Sequence, residues 1–209
     1  MKKIILSLCG GSGSWESPYR KSPEHQVINV TLPENDVRTY QPPDNVYGIL
    51  AAPPCEAFSF ARRPAGKRKK VFSMDVDTGI DIVNACLNII KKCDPHFYAL
   101  ENPYGDLNKF LGEPQYIFQP WMFGHYWTKR TCLWGKFNKP EQTHNLDTCP
   151  RLNLYIRPGR KMPSIAFLHK SAINKIPEFE PFKDYIKTDY DLRSITPPGF
   201  AQAFFEANR

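Results

Sequence analysis

The stretch Tyr47-Gly48-Ile49-Leu50-Ala51-Ala52-Pro53-Pro54-Cys55-Glu56-Ala57-Phe58-Ser59 decides the fold. A short apolar run, residues 47–52, ends in two prolines. The run is predicted to be a buried strand. The prolines stop it, because proline has no N–H to give to a strand ladder. Cys55 is therefore expected just past the carboxyl end of a strand, where ligands bind in open α/β sheets. A thiol there is either a nucleophile or a buried structural cysteine, since free cysteines are among the most buried residue types.

The same grammar recurs on both sides. Residues 3–8 form a first apolar run that opens into the small-residue loop Cys9-Gly10-Gly11-Ser12-Gly13-Ser14. Residues 26–30 are a second short run. Residues 75–92 have helical periodicity, with Ile80, Val83, Leu87 and Ile90 on one face. Asp75, Asp77 and Thr78 supply capping chemistry at its start, and Lys91 and Lys92 suit its negative end. Residues 97–100 are a further strand, running into Glu101-Asn102-Pro103. A short strand over 131–134 follows Lys129-Arg130. Residues 136–190 carry no strong period. Thr196-Pro197-Pro198-Gly199 leads into a last helix over 200–207, with proline at the start where it is tolerated. Strands alternating with helices predict an α/β fold with a mostly parallel sheet.

Composition narrows the partners. The chain has 209 residues, with a formal charge of +7 and 28 aromatic residues (14 Phe, 10 Tyr, 4 Trp). That suits a globular domain with a substantial core. The basic balance favours an anionic partner, nucleic acid first. Residues 62–70, Arg-Arg-Pro-Ala-Gly-Lys-Arg-Lys-Lys, form a basic loop that is either a phosphate contact or a solvated segment. Six cysteines, at 9, 55, 86, 93, 132 and 149, show no disulfide pattern, so reduced thiols in the cytoplasm are expected. The start Met1-Lys2-Lys3-Ile4-Ile5-Leu6-Ser7-Leu8-Cys9 mimics a lipoprotein signal. Its apolar core is shorter than the roughly 7–15 residues such a signal needs. No stretch approaches the ~20 apolar residues of a membrane span. Cys132, His144 and Cys149 lack the paired spacing of a zinc site, and no metal is expected.

Three sites stand at carboxyl ends of candidate parallel strands: the small-residue loop, Cys55 and Glu101. Small residues let a backbone approach a ligand closely. A convergent loop, thiol and carboxylate would line one cleft. In this order the motifs resemble those of the S-adenosylmethionine-dependent cytosine C5 methyltransferases. The glycine loop is followed by Asn35-Asp36-Val37-Arg38-Thr39-Tyr40. Then come Pro53-Pro54-Cys55-Glu56-Ala57-Phe58-Ser59 and Glu101-Asn102-Pro103. Thr128-Lys129-Arg130-Thr131 resembles the family's basic segment. Thr196-Pro197-Pro198-Gly199-Phe200-Ala201, on to Asn208, resembles its C-terminal motif, which packs back onto the cofactor loop.

The resemblance implies a Rossmann-like methyltransferase fold, a mostly parallel sheet with helices on both faces. Residues 1–135 and 193–209 would be the catalytic domain. Residues 136–192 would be a short variable region in place of a target-recognition domain. Cys55 would attack cytosine C6, Glu101 would share a proton with N3, and Asn102 would help fix the base edge. Arg130, or Arg62, would lower the thiol pKa. Cys9, Gly10, Gly11, Ser12, Gly13 and Pro53 would line S-adenosylmethionine. Asp36 would accept from the adenine amino group, Val37 would touch the ring, and Asn208 would help close the pocket. The substrate would be nucleic acid, DNA first, and the compact form suggests a phage or mobile element.

Some positions depart from the family's pattern. Val30 is followed by Thr31 where an acidic residue usually holds the ribose, with Glu34 several residues on. Tyr47-Gly48 replaces the acidic residue often found before the Pro-Pro-Cys strand, and the basic segment lacks its first Gln. With few residues for target recognition, the same chemistry on RNA or a cytosine nucleotide stays open. So does a non-catalytic nucleic-acid-binding protein of this fold. N-methylation, suggested by Asn102-Pro103-Tyr104, lacks the second proline of its usual motif and leaves Cys55 unexplained.

Overall fold

The computed structural model describes residues 1–59 and 74–209. The basic run at 62–70, with Arg62, lies outside the described residues. Contacts divide the rest into two compact units. The first holds Met1–Gly11, Tyr19–Ile117 and Thr131–Phe137; the second holds Ser12–Pro18, Phe118–Arg130 and Asn138–Arg209.

In chain order the regular elements are β1 (Lys3–Leu8), α1 (Ser17–Lys21), β2 (His25–Val30), β3 (Val46–Ala51), α2 (Val76–Cys93), β4 (Phe97–Pro103), α3 (Asn108–Leu111), β5 (Tyr116–Phe118), β6 (Thr131–Lys136), α4 (Asp189–Ser194) and α5 (Pro198–Ala207). The sheet runs β2-β1-β3-β4-β6-β5. β2, β1, β3 and β4 are parallel, and β6 is antiparallel to β4. This is the mostly parallel, Rossmann-like α/β fold expected from the sequence.

Central strands of such a sheet are buried on both faces, which is why their sequences are nearly continuous apolar runs. Ile5, Leu6, Ser7 and Leu8 of β1 are all buried. One face packs Leu6, Leu8, Ile49, Ala51 and Leu100 against Val83, Cys86 and Ile90 of α2. On the other, Tyr19 of α1 stacks on Phe97. α2 begins where expected, with the Asp75 carboxylate accepting from the Thr78 amide at 2.7 Å. Its polar end carries Lys91 and Lys92 in the last turn.

β4 differs from its predicted extent. It continues past residue 100 through Glu101, Asn102 and Pro103. The parallel ladder with β3 does end at Ala51–Leu100. The extra residues are held on the other side by β6, which pairs Leu133, Cys132 and Thr131 with Glu101, Asn102 and Pro103. Pro103 ends the strand, because proline has no N–H to give to a further ladder bond.

The second unit has its own core. Trp127, Leu154, Ile165, Leu168, Ile176, Phe179, Ile186, Leu192 and Ile195 pack together. Short 3-10 turns replace longer helices over Ile165–Phe167, Lys170–Lys175 and Pro177–Phe182. Residues 136–190 therefore fold without the periodicity that would have announced it. At the start of α5, the Gly199 amide donates to Nε2 of buried His125 at 2.8 Å.

Candidate active site

The parallel ladders joining β1, β3 and β4 end level with one another. Leu8 pairs with Ala51, and Ala51 with Leu100. The next residues are Cys9, Ala52 and Glu101. With neighbouring strands about 4.8 Å apart, Cys9 and Glu101 bracket the Ala52-Pro53-Pro54-Cys55 exit across roughly 10 Å. The Cys9 amide donates to Val30 O at 2.8 Å and the Ala52 amide to Leu8 O at 2.9 Å, so the ladder holds to its last residue.

Past the prolines, Cys55–Ala57 form one 3-10 turn, closed by the Phe58 and Ser59 amides donating to Cys55 O at 3.1 and 2.9 Å. Cys55 is half-buried there. Three contacts fix this turn in place. Asn102 Nδ2 donates to Pro53 O at 2.9 Å, with Asn102 itself buried. The Asp106 amide donates to Phe58 O at 2.8 Å. Gly79 of α2 lies so close that a Cβ there would sit 2.3 Å from the Ala57 Cβ. Cys55 and the half-buried Glu101 are thus held on one edge of the sheet.

The loop after β1 bends sharply. Cys9 has φ +56°, and Gly11 and Gly13 have φ +50° and +73°. Glycine takes such values without cost, whereas a side chain there is uncommon. Cys9 is hydrogen-bonded to the buried Cys86 of α2. That bond holds its thiol below the usual range, against the opposing effects of burial and of the Asp36 charge. Asp36 is therefore close enough to the loop for its charge to be felt. Its own carboxylate is held down to about 2 by Arg38, whose Nε donates to both oxygens at 3.0 and 3.1 Å. Val37 is buried in the core of the first unit.

Cys9, Gly10, Gly11, Asp36, Val37, Pro53, Cys55, Glu101 and Asn102 all belong to the first unit. Ser12, Gly13, Arg130 and Asn208 belong to the second. There the Thr196 amide donates to Ser14 Oγ at 2.9 Å, and Trp15 packs on Phe200 and Phe204, so the C-terminal segment does pack onto the later half of the loop. Asn208 is buried, and its amide is committed. It accepts from the Asn138 amide at 2.8 Å and donates to Asn138 O and Phe204 O at 2.9 and 3.0 Å. Arg130 is exposed, one residue before β6.

A cavity of about 540 Å³ runs between residues 37–42 and α2, walled by Val37, Tyr40, Asn84, Asn88 and Lys92. The α2 wall had no sequence signal beyond the polar face of an amphipathic helix. Among the described residues no three metal-ligating side chains cluster. None of the described helices is long and apolar enough to cross a membrane.

No protein-family model matches the chain, and no curated protein matches it. Solved structures do. One is a candidate DNA modification methyltransferase encoded within a prophage of E. coli, 13% identical, with 78% of this chain covering 51% of that one at TM-score 0.43. Another is the Entamoeba histolytica methyltransferase EhMeth, 11% identical, with 86% of this chain covering 67% of that one at TM-score 0.40. The chain spans about half the length of the prophage protein. At these scores no shared chemistry follows from the likeness.

Proposed function

We propose that this protein transfers a methyl group from S-adenosylmethionine to C5 of cytosine in nucleic acid, DNA first, with Cys55 as nucleophile. The observation that carries the reading is the Asn102–Pro53 hydrogen bond. It ties the Pro-Pro-Cys turn to the strand that bears Glu101, so thiol and carboxylate share one framework. That suits a reaction needing a nucleophile and a proton donor on the same ring.

Cytosine C5 is a poor nucleophile. Addition of the Cys55 thiolate to C6 pushes electron density to C5, and thiolate is the strongest such side-chain nucleophile near neutral pH. Glu101 shares a proton with N3 and relieves the negative charge that addition places on the ring. Asn102 acts by positioning: its donor is spent on Pro53 O, which sets the turn that presents the thiol. When bound, S-adenosylmethionine would supply the methyl group as an electrophile, its sulfonium sulfur leaving as a neutral thioether. A base then removes the C5 proton, and the C6–S bond breaks to restore the thiolate and the aromatic ring.

The chain's own geometry supports that cofactor. The backbone at Cys9 and Gly11 takes the left-handed turns of a close-approach loop. The ionised Asp36 is an acceptor suited to an adenine amino group. Ser12, Gly13, Arg130 and Asn208, on the second unit, remain assignments of the resemblance alone. So does the division into a catalytic part, 1–135 and 193–209, and a short variable region, 136–192.

The test is transfer of labelled methyl from S-adenosylmethionine to duplex DNA, single-stranded DNA, RNA and cytidine triphosphate. Label at C5 of cytosine in a polynucleotide, abolished in Cys55→Ala, supports the reading. Full transfer by Cys55→Ala, or label on an exocyclic nitrogen, overturns it.

A further inference from the structure

Residues 148–177 of the second unit contain six Lys or Arg and no Asp or Glu. Their apolar side chains sort into two sets. Leu154, Ile165 and Leu168 are buried in that unit's core. Tyr155 and Phe167 face solvent, at 59% and 47% exposure, with Ile156 beside them at 39%. Burial does not account for two exposed rings on so short a segment. The Arg157 guanidinium lies over the Phe167 ring, 4.9 Å from its centroid. Pro158 and Gly159 then make a tight turn, with Gly159 at φ +80° and the Arg160 amide donating to Arg157 O at 3.0 Å. Proline second and glycine third is the type II pattern. The turn brings Arg157 and Arg160 to its two ends, with Lys161 next, all exposed. The segment is not a loose tail. Thr128 and Ser164 form a parallel bridge, with the Thr128 amide donating to Pro163 O at 2.9 Å and the Ile165 amide to Thr128 O at 3.1 Å.

We propose that this segment is a binding surface for single-stranded nucleic acid. Tyr155 and the Arg157–Phe167 pair act as stacking platforms, and Arg160 and Lys161 as phosphate contacts. Exposed rings and guanidinium planes stack on any unpaired base, because every base has a π face. In a duplex those faces are already stacked on one another, so the rings of Tyr155 and Phe167 have nothing to grip. Cations alone favour the duplex, whose charge density is higher; the aromatic faces are what would favour the single strand. Reading sequence in a duplex asks for an element that enters a groove, and the segment's short 3-10 turns offer none that is long. The inference rests on the proposed function only for its substrate class, and binding is read without cofactor or methyl transfer.

The experiment is fluorescence anisotropy of the full chain with a labelled 20-nucleotide DNA strand, the RNA of the same sequence, and the blunt DNA duplex, across a salt series. Either single strand is expected to bind at least ten-fold tighter than the duplex. Tyr155→Ala and Phe167→Ala should each weaken single-strand binding roughly 5- to 160-fold, the range for losing one stacked base. Both should leave the duplex affinity unchanged. Phe167→Leu, which keeps an apolar side chain, should behave like Phe167→Ala. Arg160→Gln should lower the salt slope by about 0.7, the value for one phosphate contact on a single strand. Unfolding curves matching the parent's show that the exposed positions are not structural. Equal or tighter duplex binding, or single-strand affinity unchanged in both alanine variants, overturns the proposal. A protein that binds single strands as described but methylates nothing would sink the proposed function and leave this surface standing.

Discussion

At the scale of single residues, Asn102 links fold and chemistry most directly. It is buried, and its donor is spent on Pro53 O. Asn102→Ala leaves that carbonyl without its partner, which should cost about 1–3 kcal/mol in urea unfolding. Because Asn102 sets the turn rather than touching the methyl donor, kcat should fall while the KM for S-adenosylmethionine holds. A rise in KM alone would assign it to cofactor binding instead. The sequence showed Asn102 as a neighbour of Glu101 and could not show this bond, because Pro53 lies 49 positions away. The place of Cys55 was legible because prolines punctuate the end of β3, whereas Glu101 lies within β4, which runs on to Pro103. Asn208 carried a resemblance to a pocket residue, and only the structure shows its amide clasping Asn138.

At the scale of elements, the tightest joint is α2 against the Pro-Pro-Cys turn. Gly79 stands in the first turns of the helix, where alanine would normally add about 1 kcal/mol of helix propensity. Here the added methyl would meet the Ala57 Cβ at 2.3 Å and the Phe58 ring at 3.1 Å. Overpacking of this kind costs typically 1–3 kcal/mol. Gly79→Ala should therefore lower stability rather than raise it, and disturb activity through the turn. Higher stability on thermal unfolding would show that the turn yields freely. β1, β3 and α2 were legible almost to the residue. Apolar runs end at prolines or small residues, and the Asp75 cap marks the helix start. β4 was underestimated because β6 supplies its last partners from thirty residues later. In the second unit α5 was legible from its proline start, whereas residues 136–190 were not, because their 3-10 turns have no run long enough to show a period.

For the whole molecule, stability should depend on pH through His125. Burial holds its pKa down at about 4, and nearby His144 adds to the depression. Its Nε2 accepts from the Gly199 amide, so the neutral ring is the one that fits. The unfolded chain takes up a proton near pH 6.5, whereas the folded chain resists until about 4. Its contribution is complete above pH 6.5 and is lost as pH falls towards 4, by at most about 1.4 kcal/mol per pH unit. Urea unfolding at stepped pH should show that slope in the parent and not in His125→Gln; identical slopes would remove His125 as the cause. The central claim concerns Cys55, and one measurement reaches it directly. DNA carrying 5-fluorocytosine, incubated with S-adenosylmethionine and the protein, blocks the final proton removal. A covalent complex should accumulate, with the oligonucleotide attached to the Cys55 peptide by mass spectrometry and absent in Cys55→Ala. Methyl transfer with no adduct, or an adduct on another residue, contradicts the account.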